Sequence, residues 1–343
     1  MKLQLTVYFT YIFIVYAGIV AYSCQSDSRP DKNTGSGNSF DNRRSPLMLD
    51  LIRAEEMFAA GEPHQALELI DELASKQPQW ADPYLLKGNI LTTVSQNGRA
   101  RSAYEKLVKI DPDYLSAWFK LGNNAYRNKQ YRQAINFYNQ ELTGKQANAL
   151  QSKDKQITML QIGRCYMHLG EADSALIIYK KCIKIDSLYS EVMGDLARLY
   201  TDNGEYKTAI DFANKAVALD KKNIDYKYSL GTVYLKTNQY MQAVTYLQAV
   251  ADQRPFYEGV YYNLGQAFIR SGNNITGSQY LLKADSIQTM YSNLENLKLA
   301  TDKNPDNQRQ WLELAKAYDS VGMKAAAGQA RLAAQFTSTL KIK

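Results

Sequence analysis

The sequence is poor in the residues that mark catalytic or metal-binding proteins and in those that interrupt regular structure. Its 343 residues include only three cysteines, two histidines, eight prolines and 19 glycines. That composition argues against a disordered chain and against an all-β protein. The histidines, His64 and His168, lie far apart, and the sequence has no Gly-rich phosphate loop and no metal-spaced Cys/His set. We therefore predict a chain that is not an enzyme, with no catalytic residues, no metal and no cofactor.

The charge is positive but diffuse. The formal net charge is +7 and the isoelectric point is about 9.0, yet no dense run of Lys and Arg occurs. Solvated helix faces account for such a surplus more simply than a nucleic-acid site does. We therefore expect no nucleic-acid partner.

The sequence instead contains a repeat of 34 residues. The stretches that begin at Leu121, Ile162 and Leu230 each have a large apolar residue followed by Gly, Ala twelve positions later, and an aromatic residue or Leu four positions further on. A fixed period indicates a stacked array rather than a globule with one buried pocket. The predicted units are 47–80, 81–114, 115–148, 156–189, 190–223, 224–257, 258–291 and 308–341.

Each unit has the pattern of two helices joined by a turn. Positions 8 and 20 hold Gly or Ala in most units, which predicts that the paired helices cross most closely there. Position 15 holds Gly61, Gly170, Gly204, Gly272 and Gly322, where the first helix should end in the left-handed conformation.

These offsets resemble the tetratricopeptide repeat family over about residues 47–341. The resemblance is carried by Trp118, Leu121, Gly122, Ala134 and Tyr138 in the third unit, and by Leu230, Gly231, Tyr234, Ala243 and Pro255 in the sixth. It implies an all-α fold, a right-handed α-solenoid of helix-turn-helix units. It also implies that the first helices line a concave groove, which would hold a peptide or helix of a partner protein.

The resemblance further implies which side chains face the groove. The predicted partner-binding set is Asn89, Phe119, Asn123, Tyr126, Arg127, Arg164, Arg198, Tyr228, Lys236, Tyr262, Asn263, Gln266 and Arg270, with His168 beside them. Asn can pair with a peptide backbone as donor and acceptor, Arg can hold a carboxylate, and Tyr offers apolar area with a polar tip. A clamp for a C-terminal carboxylate is one alternative, although Leu85 or Phe119 stands where its Lys is expected. Merely solvated inner-face residues are the other.

Two breaks in the period and a cysteine pair leave alternatives open. Residues 149–155 and 292–307 are insertions, and the segment from Leu294 to Pro305 is expected to form an extra helix or, alternatively, a local bend or cap. Cys165 and Cys182 occupy positions that commonly hold Ala in the family. They either fill small core sites or, in an oxidising compartment, form a disulfide.

The N-terminus has the pattern of an export signal. Residues 1–23 contain Lys2 and then an apolar run, and Ala21-Tyr22-Ser23-Cys24 resembles the lipobox of bacterial lipoproteins. The resemblance implies cleavage before Cys24 and attachment of diacylglycerol to its thiol. A retained membrane helix and a plain signal peptide are the alternatives. Each of these three interpretations predicts that the repeats are exported from the cytoplasm.

The polar residues 25–46 are expected to form a flexible tether. The resemblance to bacterial lipoproteins further implies the outer membrane, because Gln25, rather than Asp, follows Cys24. The predicted function is thus an exported, lipid-anchored scaffold at the cell envelope that binds a protein or peptide partner in its groove. The alternatives are a self-associating structural module, a regulatory subunit of an envelope enzyme or secretion complex, and a site for small molecules or glycans.

Overall fold

The computed structural model describes residues 46–340, with side chains as far as Ser338. The predicted signal peptide, Cys24 and nearly all of the predicted tether lie outside the described residues. Pro46, the last residue assigned to the tether, begins the first helix. A proline is well tolerated there because the first N–H groups of a helix have no partner within it.

Residues 46–340 form sixteen α-helices and one short 3-10 helix, which confirms the prediction of an all-α array of repeat units. The helices are α1 (Pro46–Ala59), α2 (Pro63–Lys76), α3 (Asp82–Thr93), α4 (Asn97–Ile110), α5 (Ala117–Arg127), α6 (Tyr131–Thr143), α7 (Ser152–His168), α8 (Ala172–Ile185), α9 (Ser190–Asp202), α10 (Tyr206–Leu219), α11 (Ile224–Lys236), α12 (Tyr240–Gln253), α13 (Val260–Arg270), α14 (Asn274–Lys303), α15 (Gln308–Ser320) and α16 (Lys324–Leu340). They form pairs, so each odd-numbered helix is the first of its pair.

The chain divides into two compact units, one ending at Pro78 and the other beginning at Gln79. In the first unit α1 packs against α2, and the buried side chains include Ala54 from α1 and Ile70 and Leu73 from α2. The second unit contains α3–α16, and it carries every residue of the predicted groove.

Between α7 and α13 of the second unit, the first helices of successive pairs lie closer to one another than the second helices do. Helix α9 contacts both α7 and α11, and α11 also contacts α13, whereas successive second helices within the described residues contact one another less extensively. Near the ends of this unit, the Arg99 guanidinium of α4 lies 5.9 Å from the ring centroid of Phe336 in α16. The first helices therefore line the inner side of a curved array.

The glycine at position 8 makes room for an aromatic ring of the same unit. A Cβ atom on Gly122 would lie 2.4 Å from the ring of Tyr138, and one on Gly163 would lie 2.3 Å from the ring of Tyr179. Both rings are fully buried. The close crossing predicted from small residues is thus a packing of position 24 onto position 8.

Every first helix of the described chain ends with one residue of positive φ. The five glycines predicted for this role all adopt it. Ser95, Lys129 and Asn238 adopt it in the units that lack the glycine, with φ values of 63°, 58° and 62°. A side chain in the left-handed region costs about 1–2 kcal/mol, so the packing of these units outweighs a local strain.

The two insertions lengthen existing elements. The first insertion, residues 149–155, follows a 3-10 helix, Lys145–Asn148, and supplies the first residues of α7, which starts at Ser152. The second corrects the expectation of a separate helix, because α14 simply continues for 30 residues and ends at Lys303. No Gly or Pro interrupts the sequence between Gly277 and Pro305. Ile287 and Leu294 are buried along the way.

Cys165 and Cys182 are free, buried thiols. Burial raises the pKa of each thiol to about 12. The structure therefore favours the small-core-site interpretation over the disulfide. Between residues 46 and 340, none of the helices combines the length and the apolar character that a membrane crossing requires.

Candidate partner-binding surface

The inner side of α3 and α5 carries Asn89 and Asn123, each already engaged through its side-chain oxygen. The Tyr104 hydroxyl donates to Asn89 Oδ1 at 2.9 Å, and the Tyr138 hydroxyl donates to Asn123 Oδ1 at 2.8 Å. Each oxygen therefore uses one of its two acceptor sites on a buried tyrosine of the same unit. The expectation that these amides pair with a peptide backbone stays a prediction.

Lys120 and Arg127 lie on the same helix, α5, as Asn123. Lys120 is half-buried and Arg127 is exposed. Burial lowers the pKa of the Lys120 ammonium, and the charge of Arg127 lowers it further. Lys120 was not among the predicted residues, although it occupies position 6, which the family pattern places on the inner side.

Phe119 is a packing residue rather than a free contact surface. Its ring centroid lies 5.7 Å from that of Tyr138. Its backbone N–H donates to Glu141 Oε2 at 3.2 Å, and the Ser116 N–H donates to the other oxygen at 3.0 Å. Glu141, in α6, is almost fully buried, and burial raises its pKa although these backbone groups oppose the rise. The carboxylate therefore holds the start of α5 in place.

Asp195 joins two of the predicted arginines. Arg164 Nε donates to Asp195 Oδ2 at 2.7 Å, and Arg198 Nη2 lies 3.5 Å from Oδ1. Burial disfavours the charged form of Arg164, but Asp195 outweighs it and raises the guanidinium pKa. The three groups carry a net charge of +1, and the more exposed Arg198 is the one left to meet a ligand.

Tyr126, Tyr131 and His168 form an aromatic cluster between α5, α6 and α7. Tyr126 Oη lies 2.9 Å from His168 Nε2. The ring of Tyr131 stacks on the imidazole with centroids 4.6 Å apart. Burial lowers the pKa of His168, and Arg198 lowers it further while Asp195 opposes this. The predicted residues Tyr126 and His168 are thus brought together and are partly satisfied by each other.

Further along the array, Tyr228 and Asn263 pair with each other. Asn263 Nδ2 donates to Tyr228 Oη at 3.0 Å. A Cβ atom on Gly259, whose φ is +75°, would lie 2.6 Å from that oxygen. The glycine is therefore needed both for its backbone conformation and for the approach of the Tyr228 hydroxyl.

The remaining predicted residues are accessible. Tyr262 is 55% exposed, Lys236 and Arg270 are exposed, and Gln266 is half-buried. An open groove also lies between α14 and α15, and it is lined by Asn293, Leu297, Glu313, Lys316, Ala317 and Ser320. Across the described ranges, no group of three or more His, Cys, Asp or Glu side chains is placed to hold a metal ion.

Comparison with known families identifies the array. The family model described as tetratricopeptide repeat (TPR) matches residues 85–149 and 155–222. The model described as anaphase-promoting complex, cyclosome, subunit 3 matches residues 202–283. The chain is a tetratricopeptide repeat protein. TPR proteins are generally non-catalytic scaffolds, so the fold is that of a protein–protein interaction module.

Solved structures share this TPR fold at low sequence identity. The APC/C hetero-tetramer Cut9–Hcn1 is 18% identical with a TM-score of 0.55; the match covers 72% of our chain and 47% of that one, about half its length. PilW, described as a widely conserved type IV pilus biogenesis factor, is 16% identical over 64% of our chain and 98% of that chain, with a TM-score of 0.54. PilF of Pseudomonas aeruginosa is 14% identical over 61% and 92%, with a TM-score of 0.51. No curated protein matches the chain in sequence. These similarities show the fold alone.

Proposed function

We propose that this TPR protein is an exported, lipid-anchored adaptor of the bacterial cell envelope, whose inner face binds a partner protein. The observation that carries the proposal is the order of three features in one chain. An apolar run and Cys24 come first, a polar segment of about twenty residues follows, and the helical array comes last. A single lipid chain gives only weak membrane binding, whereas the diacylglycerol of a lipoprotein supplies two chains.

The inner face of the second unit supports the binding half of the proposal. Its accessible groups include Arg127, Arg198, Lys236 and Arg270, together with the exposed ring of Tyr262. Arg and Tyr are enriched where proteins bind one another, because each combines contact area with specific hydrogen bonding. The core tyrosines at position 24 of the repeat are buried against the glycine at position 8 of the same unit, so a partner can reach the accessible set and not these rings.

The anchoring half is tested by mass spectrometry of the N-terminal peptide from membrane-extracted protein. We expect a diacylglycerol-modified Cys24 at the mature N-terminus and membrane association that is lost in Cys24→Ala. Cys165→Ala is the matched control, because it removes a buried thiol and leaves Cys24 intact. Membrane association that survives in Cys24→Ala, with no acyl mass at that residue, contradicts the lipid anchor and favours a retained helix.

The binding half is tested by capture of the partner with the full chain and with charge-reversed variants. Arg127→Glu and Arg270→Glu change exposed side chains on α5 and α13, so the fold should survive. We expect each variant to lose partner capture while circular dichroism stays unchanged. Capture by both variants at the level of the natural chain contradicts binding by the inner face.

Self-association is a second candidate, favoured by large apolar side chains on the second helices. Met241 in α12 is 72% exposed, and Ile275 and Leu282 in α14 are 79% and 70% exposed. Light scattering separates the two functions. A stable oligomer that Ile275→Ser dissociates supports self-association through this face, whereas a monomer supports the adaptor. An oligomer that buries Tyr262 instead would place the contact on the inner face.

A further inference from the structure

The 30-residue helix α14 has the length of two second helices joined end to end. The second helices α10 and α12 have 14 residues each, so two such lengths and a join of two residues account for all of α14. Helix α12 ends two residues before Pro255, and α14 likewise ends two residues before Pro305. The second half of α14, residues 290–303, is therefore a second helix that follows another second helix directly, without a first helix between them.

The second half of α14 packs on α15 as a second helix packs on the first helix of the next unit. Leu294 and Thr301 are buried, and Leu294 belongs to one apolar cluster with Trp311 and Leu314 of α15. Helix α14 contacts α15 less extensively than the two helices of any pair contact each other. Helix α15 thus takes the place of the next first helix, and it does not take the place of a first helix paired with residues 290–303.

The face that receives a first helix in the complete units is open in the second half of α14. Counted back from Pro305 at position 32, Asn293, Leu297 and Ala300 hold positions 20, 24 and 27. In the first six units every residue at these three positions is at most 2% exposed. Here Asn293 is exposed, and Leu297 and Ala300 are half-buried. The side of the helix that is normally covered most completely is therefore left accessible.

This open face forms one wall of the groove between α14 and α15. Asn293 and Leu297, one helical turn apart, line the groove from α14. The lining residues of α15 are Glu313, Lys316, Ala317 and Ser320. They span seven residues, which corresponds to about 10 Å, or two helical turns. The groove therefore runs along two helices and has the shape of a slot for one more.

The chain itself offers no suitable helix for this groove. Each helix between residues 46 and 340 already packs in its own pair, or in the case of α14 also on α15. Residues 25–45 have Phe40 as their one large apolar side chain, so they cannot provide an apolar face. The run before Cys24 is predominantly apolar, which suits a membrane rather than a groove that is open to water. An amphipathic helix of another protein fits the groove best.

We infer that the groove between α14 and α15 binds a single amphipathic α-helix of a partner protein, which takes the place of the absent first helix. The bound helix presents a small residue to Leu297, as Gly122 does to Tyr138, because a side chain there would hold the two helices apart. Asn293 stands where the complete units have Gly or Ala, so the bound helix packs less closely than a permanent first helix. This site is separate from the inner-face residues of the proposed function, and it does not depend on the lipid anchor.

The test uses a fluorescent peptide of residues 258–273, which contains the first helix α13, in place of the partner helix. The control is the same peptide with Gly265→Leu, which puts a large side chain at position 8. Leu forms helices more readily than Gly, so weaker binding of the control cannot result from lower helicity. Fluorescence anisotropy with the full chain in detergent gives each affinity. We expect the first-helix peptide to bind at least tenfold more tightly than the control.

Variants of the chain locate the site. Leu297→Ala should weaken binding of the first-helix peptide about tenfold, because it removes apolar contact area from the groove wall. Asn293→Ala should tighten binding several-fold, because it restores the small residue that complete units have at position 20. Leu299→Ala is the matched control, since Leu299 is 48% exposed on α14 and does not line the groove. Circular dichroism confirms that each variant is folded. Equal losses in Leu297→Ala and Leu299→Ala would overturn the site.

Three other outcomes overturn the inference. The control peptide binds as well as the first-helix peptide; Asn293→Ala binds the first-helix peptide no more tightly than the natural chain does; or light scattering shows a dimer that Leu297→Ala dissociates, which would make the occupant a second copy. The proposed function fails separately, when Arg127→Glu and Arg270→Glu still capture the natural partner. A chain that captures its partner through the inner face but ignores the first-helix peptide refutes the helix-binding groove alone.

Discussion

The contact between Gly122 and Tyr138 gives the sharpest test of how the repeat is packed. Replacing Gly122 with Ala would place a Cβ atom 2.4 Å from Cε1 of Tyr138, well inside van der Waals contact. The ring is fully buried and its hydroxyl is held by Asn123, so it has little freedom to move aside. Either the two helices separate or the ring leaves its rotamer.

The expected loss follows from two opposing effects. Overpacking a core costs about 1–3 kcal/mol, and the fixed ring places this substitution near the upper end, about 3 kcal/mol. Replacing Gly by Ala within a helix contributes about 1 kcal/mol in the opposite direction. The net prediction is a decrease of about 2 kcal/mol in the free energy of unfolding. The local loss of stability should be largest in the helix pair α5 and α6.

The matched control is Gly98→Ala in α4, where a Cβ atom would have no neighbour within 4 Å. That variant keeps the helix-propensity gain without the clash, so it should be unchanged or more stable by up to about 1 kcal/mol. Urea unfolding followed by circular dichroism compares the two, and hydrogen exchange shows which helices respond. Equal stability of Gly122→Ala and Gly98→Ala would refute the packing of position 24 onto position 8.

Three further predictions follow from single residues. Lys129→Gly should stabilise the chain by about 1 kcal/mol, because it removes a side chain from the left-handed region, and a melting temperature that does not rise would contradict this. Asp195→Asn should cost about 2 kcal/mol, because it leaves the partly buried Arg164 without its carboxylate, and urea unfolding should show a smaller loss when Arg164→Gln is already present. Burial and Arg198 lower the pKa of His168 below its ordinary value of 6.5, so the unfolded chain takes up that proton first as the pH falls. The stability contributed by neutral His168 should be complete above pH 6.5 and decline below it, and His168→Gln should flatten that part of the unfolding profile.

The helical array could be predicted because its packing depends on residues of extreme size or conformation. A ring such as Tyr138 leaves no room for a side chain on Gly122, so the pattern repeats wherever that packing repeats. The left-handed turns were visible only where they hold Gly. Ser95 and Lys129 adopt the same conformation because the flanking helices impose it, and their side chains give no local signal.

The chemistry of the inner face was harder to predict, because it depends on partners in neighbouring units. Asp195 is 31 residues from Arg164, and nothing in either residue's local sequence indicates that they meet. Tyr138, 15 residues away, occupies one of the two acceptor sites of the Asn123 oxygen, and the local sequence of Asn123 does not indicate this partner. Lys120 lies at a position that the family pattern places inward, so the repeat numbering was the one signal that could have found it.

The continuity of α14 shows a similar limit. The interruption of the 34-residue period was visible in the sequence, but the period describes spacing and not where a helix stops. With no Gly or Pro between Gly277 and Pro305, the second helix of its pair had no reason to end after the usual number of turns. Burial of Leu294 then stabilises the added length.

Site-specific photo-cross-linking in cells tests most directly the claim that the inner face of the second unit is the partner-binding face. A cross-linking amino acid is placed at Tyr262, on the first helix α13, and in a second strain at Ile275, on the second helix α14; both positions are exposed. We predict a cross-linked partner from position 262 and none from position 275. The same partner captured from position 275, with none from position 262, would contradict the account.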